Sequence, residues 1–142
     1  MCDQVLRLPG YEFSLGEVVL GECGRLAPEI MKRISSGSIG LVENSIPAMQ
    51  FAQAVDKYRL GAGEVECILL AALHQMVVCT DDKKARRVAE TVLGVGAAVG
   101  VLTLLQKCID AKLLTVKDAW AAYELMRSRG AFLPTLREDY FI

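Results

Sequence analysis

Short runs of apolar or β-branched residues alternate along this chain with longer stretches whose apolar positions recur every three or four residues, and that alternation is the wiring of an α/β fold with a parallel sheet flanked by helices. Residues 11–15 (YEFSL) read as a first short strand. A helical stretch from about Glu17 follows, interrupted by Pro28 and ended by the Ser35-Ser36-Gly37-Ser38 turn. Residues 39–43 read as a second strand, and a helix opening around Pro47 runs to Tyr58 before the glycines at 61 and 63 break it. The next helix begins at Glu64, with Val65, Ile68, Leu69 and Ala72 on one core-facing stripe. Residues 76–80 (MVVCT) form an uninterrupted apolar run suited to a strand covered on both faces. Asp81-Asp82 then caps a helix to Leu93, and residues 95–99 (VGAAV) read as the last strand. A helix over 101–112 follows, with Val101, Leu104, Leu105 and Cys108 on a stripe suited to core or interface alike. Thr115 and Asp118 have the spacing of a capping box for a final helix carrying Trp120 and Tyr123, and residues 134–142 suit one more short helix.

A chain of 142 residues is long enough for one core and too short for two ordinary domains. Its 53% apolar and 23% charged content excludes disorder, and no charge-free apolar run reaches the length of a membrane span. The start at Met-Cys-Asp-Gln lacks the basic-then-apolar pattern of a secretory signal, so a cytoplasmic protein is expected. Cys2, Cys23, Cys67, Cys79 and Cys108 form no C-x-x-C pair, and His74 is the single histidine, which leaves little to build a zinc site from. The cysteines read as reduced, mostly as small core residues. A formal charge of −1 argues against a globally basic nucleic-acid coat while leaving room for a local basic stripe.

In a parallel α/β sheet ligands bind at the carboxyl ends of the strands, so acids that follow a strand or open the next helix are the first candidates for chemistry. Asp81 and Asp82 directly follow MVVCT, Glu64 opens a helix after a glycine-containing turn, and Glu22 lies about two turns into the helix after the first strand. Each has a plain structural reading: the aspartates and Glu64 suit a first helical turn, Glu66 a solvated neighbour, and Glu22 an ordinary surface glutamate. Lys83, Lys84, Arg86 and Arg87 either meet a phosphate backbone or form a solvated helix face. Gly94, Gly96 and Gly100 straddle a strand instead of following one, which is the wrong placement for a dinucleotide loop.

Taken as one string, residues 60–90 (LGAGEVECILLAALHQMVVCTDDKKARRVAE) resemble the PIN-domain family, in particular its VapC-like toxin subgroup, in which a G-x-G-E-x-E helix precedes a strand and T-D-D-x-x-A-R-x-x-A. Residues 14–24 (SLGEVVLGECG) are similar to that family's second strand and following helix, and residues 99–134 look like the subgroup's carboxyl-terminal helices. The resemblance implies a ribonuclease fold whose carboxylates hold Mg2+ or Mn2+. Carried over by position, the acids fall on Glu22, Glu64 and Asp82, with Asp81 not separable from its neighbour and Glu66 a further participant, since related flap-endonuclease sites use a similar paired-acid helix start.

The chemistry agrees with that implication. Two bare carboxylates about 4 Å apart repel by roughly 4 kcal/mol at an effective dielectric near 20, so three together imply a cation or raised pKa values. Hard oxygen donors suit magnesium or manganese. The resemblance further implies an RNA substrate, a cognate antitoxin protein and a homodimer. This chain departs from the family at one place: the family opens with a central strand ending in aspartate, and nothing here corresponds to it. Asp3 lies too close to Leu6, Leu8 and the Pro9-Gly10 turn to follow a buried strand. The expectations are therefore a PIN-like domain lacking its middle strand and principal acid, its true start lying upstream or the strand arriving from another chain. The alternative is a catalytically inactive remnant that binds protein or RNA.

Overall fold

The computed structural model describes residues 3–142; Cys2, expected to be a reduced thiol, lies outside the described residues. After a short 3-10 helix, Asp3–Arg7, the chain forms β1 (Ser14–Gly16), α1 (Glu17–Glu22), a 3-10 turn at Gly24–Leu26, α2 (Ala27–Ser35) and β2 (Gly40–Val42). It continues through α3 (Ala48–Tyr58), α4 (Ala62–His74), β3 (Val78–Cys79), α5 (Lys83–Leu93), β4 (Ala98–Val99), α6 (Val101–Asp110) and α7 (Val116–Ser128). The alternation in the sequence thus becomes α/β architecture with parallel strand pairs. Among the described residues no helix is long and apolar enough to cross a membrane.

Where helices begin and end follows local chemistry. The Asp82 carboxylate accepts from the Ala85 N–H at 2.8 Å and caps α5, while Thr115 and Asp118 bond reciprocally to start α7. Pro28 opens α2 instead of merely interrupting a helix: its missing N–H is harmless in a first turn, and the break falls earlier, at Gly24 with φ +55°. Residues 134–142 form no helix. Their backbone is held by the Tyr123 hydroxyl, which donates to the Pro134 carbonyl and accepts from the Leu136 N–H.

The strands are shorter than the apolar runs that produce them, and they lie in two separate parallel pairs. β1 pairs with β2 in the register Ser14 to Gly40, Leu15 to Leu41 and Gly16 to Val42. β3 pairs with β4, Val78 to Ala98 and Cys79 to Val99. One core gathers under α3, α4 and α5 around Val65, Ile68, Ala71, Val78, Ala85 and Ala89. A second gathers under α6 and α7 around Leu104, Leu105, Cys108, Ala119 and Tyr123, which assigns the α6 stripe to core. Between them, and between the two strand pairs, runs a groove of about 460 Å3 lined by residues 10–16, by Cys67, Leu70 and Ala71 of α4, by residues 76–79, and by Val99 and Leu104. The α4 stripe is wider than the 3.6-residue pattern requires: Leu70, Ala71 and Glu66 are buried along with Val65 and Ile68, whereas Ala72 is exposed.

Glu66 is the chief departure from the solvated residue its sequence position suggests. It is fully buried, and its carboxylate accepts from the Val18 and Val19 N–H groups at 3.0 Å each and from Asn44 Nδ2 at 2.9 Å. A carboxylate here satisfies two of the free N–H donors at the start of α1. Gly16 makes the approach possible, since a Cβ at that position would lie 2.1 Å from Glu66 Oε1. Glu66→Ala, which strands these donors, is expected to destabilise the chain by about 2–3 kcal/mol in urea titration, and Gly16→Ala by about 1–3 kcal/mol through overpacking. Wild-type stability in Glu66→Ala would contradict this role.

Candidate functional site

Each acid singled out in the sequence sits at the amino end of a helix, and in three of five cases the helix is not its own. Glu22 closes α1, and its Oε1 accepts from the Gly63 N–H of α4 at 3.2 Å. A Cβ at position 63 would lie 2.3 Å from Glu22 Oε2, so the G-x-G-E spacing brings Glu22 against the α4 backbone. Glu64 accepts from the Gly61 N–H at 3.1 Å, the glutamate half of a capping box. Glu66 serves the start of α1 through Val18 and Val19. Asp81 Oδ1 accepts from the Val101 N–H at 2.9 Å at the start of α6, and Asp82 caps α5. The positive end of each helix macrodipole favours such placement.

These helix starts converge on the carboxyl ends of the strands. β1 runs into α1, whose first turn Glu66 holds against α4. β3 turns back after Gln75, in the left-handed region at φ +55°, so its carboxyl end returns toward the start of α4. Cys67 registers that convergence. Burial pushes its thiol up to about 11, and the negative charge of Glu66, the neighbouring Cys79, Glu22 and Glu64 add to the effect. The Cys79 thiol is pushed up by burial and by Asp81, against a smaller opposing effect of Arg86. Both thiols are therefore protonated near neutrality and offer no thiolate to a soft metal.

For Mg2+ or Mn2+ the donor chemistry is right, because oxygen predominates and His74 stands exposed at the far end of α4. The geometry does not close a cage. Among the described residues no three acidic, cysteine or histidine side chains gather closely enough to hold a metal ion. The pocket expected from Glu22, Glu64 and Asp82 is thus not assembled by these side chains in this arrangement. One oxygen of each is drawn to a backbone N–H: Glu22 and Glu64 to the start of α4, Asp82 to the start of α5.

The basic run divides on folding. Lys83 and Arg87 are exposed on α5, as a backbone-contacting pair must be. Lys84 Nζ, although exposed, donates to the Arg59 carbonyl at 2.8 Å, where α3 ends in a left-handed residue. Arg86 is half-buried, donates to the Thr80 carbonyl at 3.2 Å and lies over Gly100, where a Cβ would meet its Nη2 at 2.4 Å and Asp81 Oδ1 at 2.8 Å. Arg86 thus turns partly inward beside Asp81, where Lys83 and Arg87 stay exposed.

Sequence reasoning missed Asn44, Gly16 and Gly100. Asn44 donates to Glu66 while its Oδ1 accepts from the Ile46 N–H at 3.1 Å. The signal for all three was available in principle: a polar residue or a glycine placed where a strand gives way to a helix.

A family model described as a PIN domain matches residues 16–137. No curated protein and no solved structure matches the chain. The model spans most of the 142 residues, including Glu22, Glu64, Glu66, Asp81 and Asp82, and the α/β architecture agrees with it. The chain belongs to the PIN-domain family.

Proposed function

We propose that this PIN domain is a metal-dependent endoribonuclease of the VapC-like kind, the toxin of a toxin-antitoxin pair acting in the cytoplasm as a homodimer. The observation that carries the reading is the placement of Glu22, Glu64, Asp81 and Asp82 at helix starts beside the carboxyl ends of β1 and β3. In an α/β sheet that is where ligands are handled. Glu22, Glu64 and Asp82 are the residues to hold Mg2+ or Mn2+, with Asp81 and Glu66 behind them, once a further carboxylate completes the set. When bound, such an ion supplies an activated water and charge neutralisation for phosphodiester hydrolysis. The chain's own share is to orient these carboxylates through backbone N–H groups and to meet the RNA backbone with Lys83 and Arg87.

A second reading, a catalytically inactive module that binds protein or RNA, is favoured by one observation: the described residues gather no metal cage. The two readings separate in a cleavage assay on single-stranded RNA with manganese. A fusion placing an apolar strand ending in aspartate ahead of residue 1 is expected to cleave, and the 142-residue chain to be slower by about 100-fold or more. Chelation with EDTA should abolish the cleavage, and Asp82→Asn should reduce it by about 100-fold or more. Glu22→Gln should do likewise without unfolding, because the amide oxygen still accepts from Gly63. An unchanged rate in Asp82→Asn removes the mechanism, and RNA binding without cleavage in the fusion supports the module.

RNA binding generates its own prediction. Lys83→Ala with Arg87→Ala should weaken binding to RNA oligonucleotides of any sequence and flatten its salt dependence. Sequence-selective loss, or none, would place the RNA elsewhere.

A further inference from the structure

Two local rules are broken side by side near the acids at the starts of α4 and α5. Beyond its Asp82 cap, α5 opens with Lys83 and Lys84 and has no acidic residue in its first turn, although the positive end of a helix macrodipole disfavours cations there. α3 ends on Arg59 in the left-handed region, at φ +52° and ψ +44°, where glycine is the usual residue and a side chain brings strain. The two breaks touch: Lys84 Nζ donates at 2.8 Å to the Arg59 carbonyl, an acceptor of the kind a helix end leaves without an intrahelical partner. Where a sequence departs from local preference without a gain in packing, a functional demand is the usual reason.

The contact gathers charge. Arg59 and Lys57 are exposed at the end of α3, Lys57 with its Nζ 5.4 Å from the centroid of the Tyr58 ring, and Lys83, Lys84 and Arg87 are exposed on α5. Among the described residues none of these cations pairs with a carboxylate; the ion pairs there are made by Arg33 and Arg137. Chain order sets them beside the acids. Arg59 and Leu60 lead into Gly61, whose N–H bonds Glu64, and Lys83 follows Asp82 directly. Carboxylates repel an approaching polyanion, and unpaired cations on the adjoining surface offset that repulsion.

We propose, building on the RNA-binding half of the proposed function, that Arg59 is a further phosphate contact for single-stranded RNA. Lys84 is then a positioning residue, the latch that holds the end of α3, and Arg59 with it, beside Lys83 and Arg87, so that the strand's backbone is carried across the ends of two helices. A guanidinium fork matches phosphate oxygens in pairs, whereas the Lys84 ammonium is already committed to a carbonyl. Contacts of this kind grip the backbone without reading bases.

The test is equilibrium binding of a fluorescent single-stranded RNA of mixed sequence to the 142-residue chain in EDTA, where no cleavage interferes, at a series of salt concentrations. Arg59→Gly suits the left-handed backbone and removes the guanidinium. It is expected to keep or raise the melting temperature, to weaken RNA binding about fivefold at low salt and to lower the salt slope by about 0.7. Arg59→Lys should restore most of the affinity. Lys84→Met, which keeps the stem and removes the donor, should weaken binding less. Combined with Arg59→Gly it should add no further loss, because the latch then has no phosphate contact to hold. Additive losses would make Lys84 a phosphate contact in its own right and overturn the latch. Unchanged binding in Arg59→Gly, where Lys83→Ala with Arg87→Ala weakens it, would overturn this inference and leave the RNA reading standing. No RNA binding by the wild-type chain would overturn both, and Arg59-dependent capture of fluorescent polyglutamate as tightly as RNA would assign the surface to an acidic protein instead.

Discussion

The buried carboxylate of Glu66 is the contact on which the surrounding structure depends. A buried carboxyl group without solvent is tolerated only if its oxygens are hydrogen-bonded, and here the start of α1 and the Asn44 amide meet that need. The consequence is directional. α1 must begin where α4 can reach it, β1 must end there, and Gly16 must leave room. Glu22 then closes the arrangement from the other side, with α1 supplying a carboxylate to α4 as α4 supplies one to α1. Two helix starts are thereby locked side by side at the carboxyl end of β1.

The same device recurs across the groove. Asp81 follows β3 and bonds the first turn of α6, while Asp82 bonds the first turn of α5. Five carboxylates therefore serve helix amino ends near the carboxyl ends of the two strand pairs. The residues proposed to hold metal are thus the same ones that hold the helices in position. The raised Cys67 thiol records the resulting negative potential, with burial the larger cause and Glu66, Glu22 and Glu64 among the contributors.

Much of this was legible in the sequence. The order of helices and strands, the Asp82 cap, the Thr115 and Asp118 box and the core stripe of α6 follow from local propensity and periodicity, which the fold does not override. The acids of interest were legible because glycines precede Glu64 and a strand precedes Asp81. What escaped depends on distant partners. Glu66 reads as solvated until Val18, Val19 and Asn44 come to it, from up to 48 residues away. Arg86 reads as one cation among four until Gly100 opens a place for it beside Asp81. The strands came out shorter than the apolar runs because pairing requires a neighbour, and β1 and β3 each have a partner on one side alone.

The central claim is that the acids on the two sides of the groove face one mouth. Manganese, added in small increments to isotope-labelled protein, broadens amide signals steeply with proximity and tests this directly. The account predicts that Gly61, Gly63, Cys67 and Val101 lose intensity together and first, while Ala131 and Ser36 are untouched. Broadening confined to one side of the groove, or centred on the far end of α4 near His74, would contradict it.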